Sequence, residues 1–206
     1  MKLDHIVVAV RDLADAAGHL EREHGLTSYV GGSHAPWGTA NRIVPLGDSY
    51  VELIAVVDEP TAATSEVGRW VADGASTRGS PIGWAVRPDD LDATSRRLGL
   101  TAHEGARTTP DGATVGWRMA GIERAIGDNL PWFIEWHNWA TYPGLAETAV
   151  DARVVRIEIE GDTAQLAAWL GEHALPLEVR PGTRGITAVV LDGPSGTVIL
   201  GEAAEL

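Results

Sequence analysis

The feature that most constrains this chain is a succession of strand and helix signals that returns twice after its first appearance. LDHIVVAV (3–10) is apolar and β-branched, the pattern of a strand buried on both faces. Asp12 then offers a helix cap, Leu13, Ala16, Ala17 and Leu20 fall at helical spacing on the way to His24, and Gly25 supplies a stop. LTSYVGG, TANRIVPLG and SYVELIAVV follow as strand-like runs separated by Gly, Pro and Asp turn signals. The order is β-α-β-β-β. From Pro81 to His137 it recurs: IGWAV, a helix from Asp90 to Leu98 ending at Gly99, then TAHEGA, ATVGWRMAG and PWFIEWH. The first junctions match as well, AVRDLADA standing beside AVRPDDLDA with one inserted residue. A third pass starts at Val154 with VVRIEIEG, a helix over Thr163 to His173, LPLEVR, GITAVVL and GTVILGE, and its loops are shorter. An internal repeat fixes architecture before any single residue does. It predicts an α+β fold of repeated β-α-β-β-β units: residues 1–140 as one domain of two units (1–58 and 80–139), and residues 152–206 as a third, shortened unit packed on it. Gly-, Asp- and Ser-rich stretches at 72–80 and 141–152 are the natural boundaries.

A chain of 206 residues with 44% hydrophobic residues can build its own core. It has no cysteine, so any metal must be held by nitrogen and oxygen. A formal charge of −13 lacks the basic footprint that a phosphate backbone requires, which argues against nucleic acid. No run is long enough to span a membrane, and Met1 leads straight into a strand without a signal-peptide pattern, so the expected location is cytoplasmic. Eight Trp stand against one Phe, and amphipathic aromatics of this kind suit both a core and the wall of a small-molecule cavity.

Strand alternation places His5, Val7 and Ala9 on one face of the first strand, and Tyr50, Glu52 and Ile54 together on one face of SYVELIAVV. Neither face of that second strand looks solvated, so a carboxylate at Glu52 must be paired, hydrogen-bonded or metal-bound. Glu135 is the one acidic residue of PWFIEWH, the corresponding last strand of the second unit, and it shares its face with Phe133 and His137. Two apolar last strands, each with one central Glu, point to a common site; ordinary salt bridges to Arg42 or Arg118 are the competing explanation. His34 lies in GGSHAPWGTAN, where Gly31, Gly32 and Gly38 permit tight turns and a close ligand approach, although a solvated loop histidine would read the same way. His19, His24, His103 and His173 read as surface residues, and neither a phosphate-binding glycine loop nor a Gly-x-Ser-x-Gly elbow occurs.

LDHIVVAVRDL, GGSHAPWGTANRIVPLGDSYVELIAV and LPWFIEWH resemble the glyoxalase-like branch of the vicinal oxygen chelate superfamily, across most of residues 3–139. The resemblance implies paired units closing a cup of curved mixed sheets with helices outside, and a divalent metal (Zn, Fe, Mn, Ni or Co) held by residues from the first and fourth strands of two units. Carried over by position, it assigns His5, Glu52 and Glu135 as ligands, with Glu52 and Glu135 as catalytic carboxylates. The fourth position falls on Pro81 or Ile82, which cannot bind metal, so either the three ligands form a site with open positions for water or substrate, or His137 or His34 supplies the missing nitrogen. Trp37, Asn41, Tyr50, Trp132 and Phe133 are the expected pocket residues, and a homodimer fits the superfamily's habits. The implied function is a metal-dependent lyase, isomerase or dioxygenase acting on a small oxygenated molecule. The competing function is a metal-free cup that binds and sequesters one.

Overall fold

In the computed structural model, residues 1–75, 79–183 and 185–201 are described. Part of the expected 72–80 boundary and the tail from residue 202 lie outside them. The first unit comprises β1 (Lys2–Ala9), α1 (Leu13–His24), β2 (Tyr29–His34), β3 (Thr39–Pro45) and β4 (Tyr50–Val56). Two helices, α2 (Glu59–Thr64) and α3 (Glu66–Ala75), lead into the second unit. That unit runs through β5 (Pro81–Arg87), α4 (Leu91–Leu98), β6 (Ala102–Thr108), β7 (Thr114–Ala120), α5 (Ile122–Asp128) and β8 (Trp132–Trp136). The chain ends in β9 (Arg153–Glu160), α6 (Thr163–Leu170), β10 (Leu177–Arg180), β11 (Gly185–Gly193) and β12 (Gly196–Gly201).

The eight strands of the first two units close into a barrel in the order β1-β4-β3-β2-β6-β7-β8-β5. Each unit contributes the same half: its first strand runs parallel to its last, β1 with β4 and β5 with β8, and the other neighbours within each half are antiparallel. The matching junctions have matching chemistry. Asp12 and Asp90 each cap a helix N-terminus with a carboxylate, and Gly25 and Gly99 each end the helix with φ of 68°. The third unit repeats the order of elements but not their pairing. Its sheet runs β10-β9-β11-β12, with its first strand between the second and third. Element order is legible in the residues; which edges meet depends on contacts between distant segments.

The strands that begin the units explain the layered core. The outward set of β1 and β4, including Ile6, Val8, Val51 and Leu53, joins α1, Phe133 of β8 and the apolar face of the third unit in the larger core. The inward set, including Val7, Ala9, Ile54, Ala85, Trp132 and Ile134, forms a second cluster within the barrel. The third unit seals the barrel's outer wall: Trp169 of α6 packs on Phe133 with ring centroids 5.5 Å apart and donates its indole N–H to Pro131 O at 2.7 Å. Helix α3, whose Val71 is completely buried in the inner cluster, covers the barrel end where β1 finishes. The sequence reading did not identify α2, α3 or α5; each is short, and α3 is tied to the barrel by Val71 and Trp70 rather than by a long periodic stripe.

Candidate functional site

The barrel encloses a cavity between α3 and the opposite end, where β1 begins. Its walls are mostly apolar and include five tryptophans, Trp37, Trp70, Trp117, Trp132 and Trp136. Among these groups sit His5, His34, Asn41, Tyr50, Glu52 and Arg107. A mostly apolar cavity with a few convergent polar groups is the usual form of a small-molecule site.

His5, Glu52 and His34 meet here. His5 Nδ1 is 2.6 Å from Asp4 Oδ1, and His5 Nε2 is 3.5 Å from Glu52 Oε2. His34 repeats the arrangement, with Nδ1 3.1 Å from Thr39 Oγ1 and Nε2 4.0 Å from Glu52 Oε1. Asn41 donates from Nδ2 to Glu52 Oε1 at 2.6 Å and so fixes the carboxylate's rotation. Asn41 reaches in beside Gly31, where a Cβ would collide with its carboxamide oxygen. All four side chains are buried. Burial holds the His34 imidazole below its ordinary pKa and so favours the neutral ring, against the opposing pull of the Glu52 charge.

An ionised Asp4 carboxylate can only accept, so the Asp4 contact places a proton on His5 Nδ1. In a neutral ring, Nε2 then presents a lone pair to the lone pairs of Glu52. Two acceptors facing each other across 3.5 Å in a buried site need a proton or a metal ion between them. Asp4 owes its position to a backbone irregularity. The β1–β5 register shifts between Leu3 and His5, and this bulge turns the Asp4 side chain toward the interior, where it also accepts from Trp136 Nε1 at 3.0 Å and pairs with Arg87 Nε at 3.2 Å. Sequence reasoning missed both Asp4 and Arg107, since a bulge has no residue signature and Arg107 lies in a run that reads as a polar strand.

Three expected site residues are corrected by the phase of β8. Its cavity residues are Trp132, Ile134 and Trp136, so Phe133, Glu135 and His137 fall on the outside. Phe133 belongs to the outer core. Glu135 is half-exposed, directly opposite Arg118 in the β7–β8 ladder, and bonded to it at 3.1 Å. His137 Nε2 lies 2.9 Å from exposed Glu104. A one-residue difference in phase exchanges the two faces of a strand, and apolar residues on both faces of β8 hid which one was inside. Glu135 and His137 therefore are not part of the His5–Glu52 cluster. Trp37, Asn41, Tyr50 and Trp132 do line the cavity.

The cavity end where β1 begins is closed by the segment after β8. Tyr142 is buried, donates its hydroxyl to Asp4 O and Asp48 O at 3.1 Å each, and stacks on Trp139 at 4.2 Å. Arg87 lies over its ring at 4.4 Å. Behind it, Tyr50 stacks on His5 at 4.6 Å. Burial raises the phenol pKa of all three tyrosines in the chain, Tyr29, Tyr50 and Tyr142, above the ordinary 10.0. In the unfolded chain they ionise near that value. Above about pH 10 the unfolded state therefore holds fewer protons than the folded one, and stability must fall as pH rises. We expect phenolate absorbance to stay flat through pH 10 and to rise only together with the loss of tertiary structure. A phenolate that titrates near pH 10 in folded protein would contradict this burial.

A family model described as Glyoxalase-like domain matches residues 3–175. A search of curated proteins finds no match. Among solved structures, a hypothetical protein from Staphylococcus aureus is similar at 14% identity with a TM-score of 0.74, covering 93% of this chain and 91% of that one. At that identity the likeness concerns the fold. Methylmalonyl-CoA epimerase from Mycobacterium tuberculosis is similar at 22% identity with a TM-score of 0.44, covering 66% of this chain and 86% of its own. The Streptomyces coelicolor epimerase with 2-nitronate-propionyl-CoA is similar at 19% identity and a TM-score of 0.47, covering 65% and 94%. No helix among the described residues is long and apolar enough to cross a membrane.

Proposed function

The chain belongs to the Glyoxalase-like domain family, within the vicinal oxygen chelate fold, and from that premise we propose that its barrel interior is the catalytic chamber of a metal-dependent isomerase or lyase. The observation that carries this reading is the convergence of His5 Nε2 and His34 Nε2 on the two oxygens of Glu52, with each ring's Nδ1 held by a second group. Among the described residues, no three acidic or imidazole groups are placed so that they could hold a metal ion without moving. The donor chemistry nevertheless fits a divalent ion: two imidazoles, one of them favoured as neutral, a carboxylate, and an Asp4 partner of the kind that orients metal-bound histidines. His5, His34 and Glu52 are the residues that would hold it. When bound, the ion would act as a Lewis acid toward an oxygen of the substrate.

The chain's own groups account for the remaining steps. The tryptophan walls exclude water and hold a small, largely apolar molecule against the polar cluster. Asn41 keeps Oε1 of Glu52 fixed, and Oε2, once the substrate has displaced it from the gap facing His5, would be the atom that takes a proton from a carbon beside the substrate's carbonyl and returns it. Asp4 fixes the His5 ring, and Tyr50 supports it by stacking. A second reading is favoured by the same acceptor pair: a proton alone can fill the gap between His5 and Glu52, and the cavity would then bind and sequester its ligand without turnover.

Metal uptake separates the two. Protein stripped with chelator and dialysed against Mn, Fe, Co, Ni or Zn is expected to retain close to one ion per chain, to lose it in His5→Ala and His34→Ala, and to keep it in Glu135→Gln. No retention of any of these ions by the wild type would remove the metalloenzyme reading and leave the binding one.

A further inference from the structure

Arg107 is the polar group of the cavity that the cluster around Glu52 does not use. It projects inward from β6, is 5% exposed, and its Nη1 has no hydrogen-bond partner. Among the described residues, no carboxylate comes within 4.0 Å of it. Tyr29 lies near enough for the guanidinium charge to act on its phenol, and it donates its hydroxyl to Pro143 O at 3.2 Å. Nη1 is thus left buried and unpaired beside Gly32, whose own missing side chain is required by the close Thr108 carbonyl. Glu52 shares the cavity and its charge acts with that of Arg107 on His34, but a buried guanidinium with no carboxylate in direct contact is costly to keep, and its planar fork suits one. Asn41 Oδ1 in the same cavity is likewise buried and unpartnered.

We infer that Arg107 is the anchor for a carboxylate carried by the cavity's ligand, so that the site takes a small, otherwise apolar carboxylic acid, oriented with its anionic end at β6 and its body among the tryptophans. The inference deepens the proposed function and shares its cavity, but it assigns a different group to a different part of the ligand. The apolar walls favour a monoanion over phosphate, whose second charge would also have to leave water. Asn41 Oδ1 remains available to accept from a hydroxyl on the same molecule.

The test uses metal-stripped, desalted full-length protein, so that carboxylates cannot bind through an ion. Butyrate and benzoate are compared with butyramide and benzamide by tryptophan fluorescence and by melting temperature, in the wild type, Arg107→Met and Arg107→Lys. In the wild type each acid should bind at least about tenfold more tightly than its amide. The preference should vanish in Arg107→Met and survive in part in Arg107→Lys, which keeps the charge and guards against a folding defect in the first variant. Without ligand, Arg107→Met should melt no lower than the wild type, because it replaces an unpaired buried charge by an apolar chain of similar length. Equal binding of acids and amides, no binding of either acid, a preference that persists in Arg107→Met, or inorganic phosphate binding as well as benzoate would each overturn the assignment. None of these results bears on metal uptake at His5, His34 and Glu52, so the two proposals can fail separately.

Discussion

Replacing Glu52 by glutamine is expected to lower metal affinity by more than about 100-fold while leaving the fold intact, because removing even a group that only supports a metal ligand costs about 10–100-fold and Glu52 is itself a proposed ligand. The carboxylate is the group on which both imidazoles and Asn41 converge. A glutamine has the same shape, but one of its two terminal atoms becomes an N–H donor. Turned toward His5 Nε2, that donor satisfies the lone pair that otherwise requires a cation, so the variant should need no ion to be stable. Competition with a fluorescent chelator measures the affinity, and near-ultraviolet circular dichroism reports whether the tryptophan environment is kept. Wild-type affinity in Glu52→Gln would remove Glu52 from the proposed ligand set.

The second large effect falls on the next layer out. Phe133 is completely buried, packed between the barrel and Trp169 of α6, and Phe133→Ala should cost about 3–5 kcal/mol of stability. For a chain of this size that corresponds to a fall in melting temperature of roughly 6–20 °C, at about 2–4 °C per kcal/mol. Its neighbour Trp132 faces the cavity and stands edge-on to His5 at 5.2 Å, so Trp132→Ala should weaken ligand binding more than Phe133→Ala does. Glu135→Gln, which touches a half-exposed ion pair with Arg118, should change stability by no more than about 1 kcal/mol. A stability loss in Glu135→Gln as large as that in Phe133→Ala would contradict the phase of β8 described above. Denaturant unfolding of these single variants supplies the comparison.

These neighbours also show how far residues alone reveal such a site. On β1 and β4 the alternation of Ile6, Val8, Val51 and Leu53 with His5, Val7, Tyr50 and Glu52 separates two faces, because polar groups mark only one of them. On β8 that contrast fails. Trp132, Ile134 and Trp136 alternate with Phe133 and Glu135, and an aromatic begins each set. The acidic residue marks the outer face, where Arg118, directly across the ladder, gives it an ordinary cross-strand partner. The correspondence between Glu52 and Glu135 was one of position along the chain and not of direction.

Other parts of the site depended on contacts that no local pattern carries. Asp4 enters the cluster through a register shift against β5, a strand some eighty residues away in the chain. Arg107 becomes a buried cation because the closed barrel surrounds it with the opposite unit, whereas GARTT by itself reads as solvated. His34 could be named as a candidate from its glycine-rich setting, but only the pairing of β2 with β3 carries it to Glu52. The third unit illustrates the same division at the level of the fold, since its order of elements was readable and its sheet pairing was not.

The central claim is that the gap bounded by His5 Nε2, His34 Nε2 and Glu52 is a cation site, and cobalt(II) reports on it most directly through its visible absorption. Wild-type protein with one equivalent of cobalt should develop a ligand-field spectrum that distinguishes the bound from the aqueous ion, with Glu135→Gln giving the same spectrum and His5→Ala, His34→Ala and Glu52→Gln each altering or abolishing it. A wild-type spectrum no different from aqueous cobalt, or one unchanged in His34→Ala and Glu52→Gln, would contradict the claim.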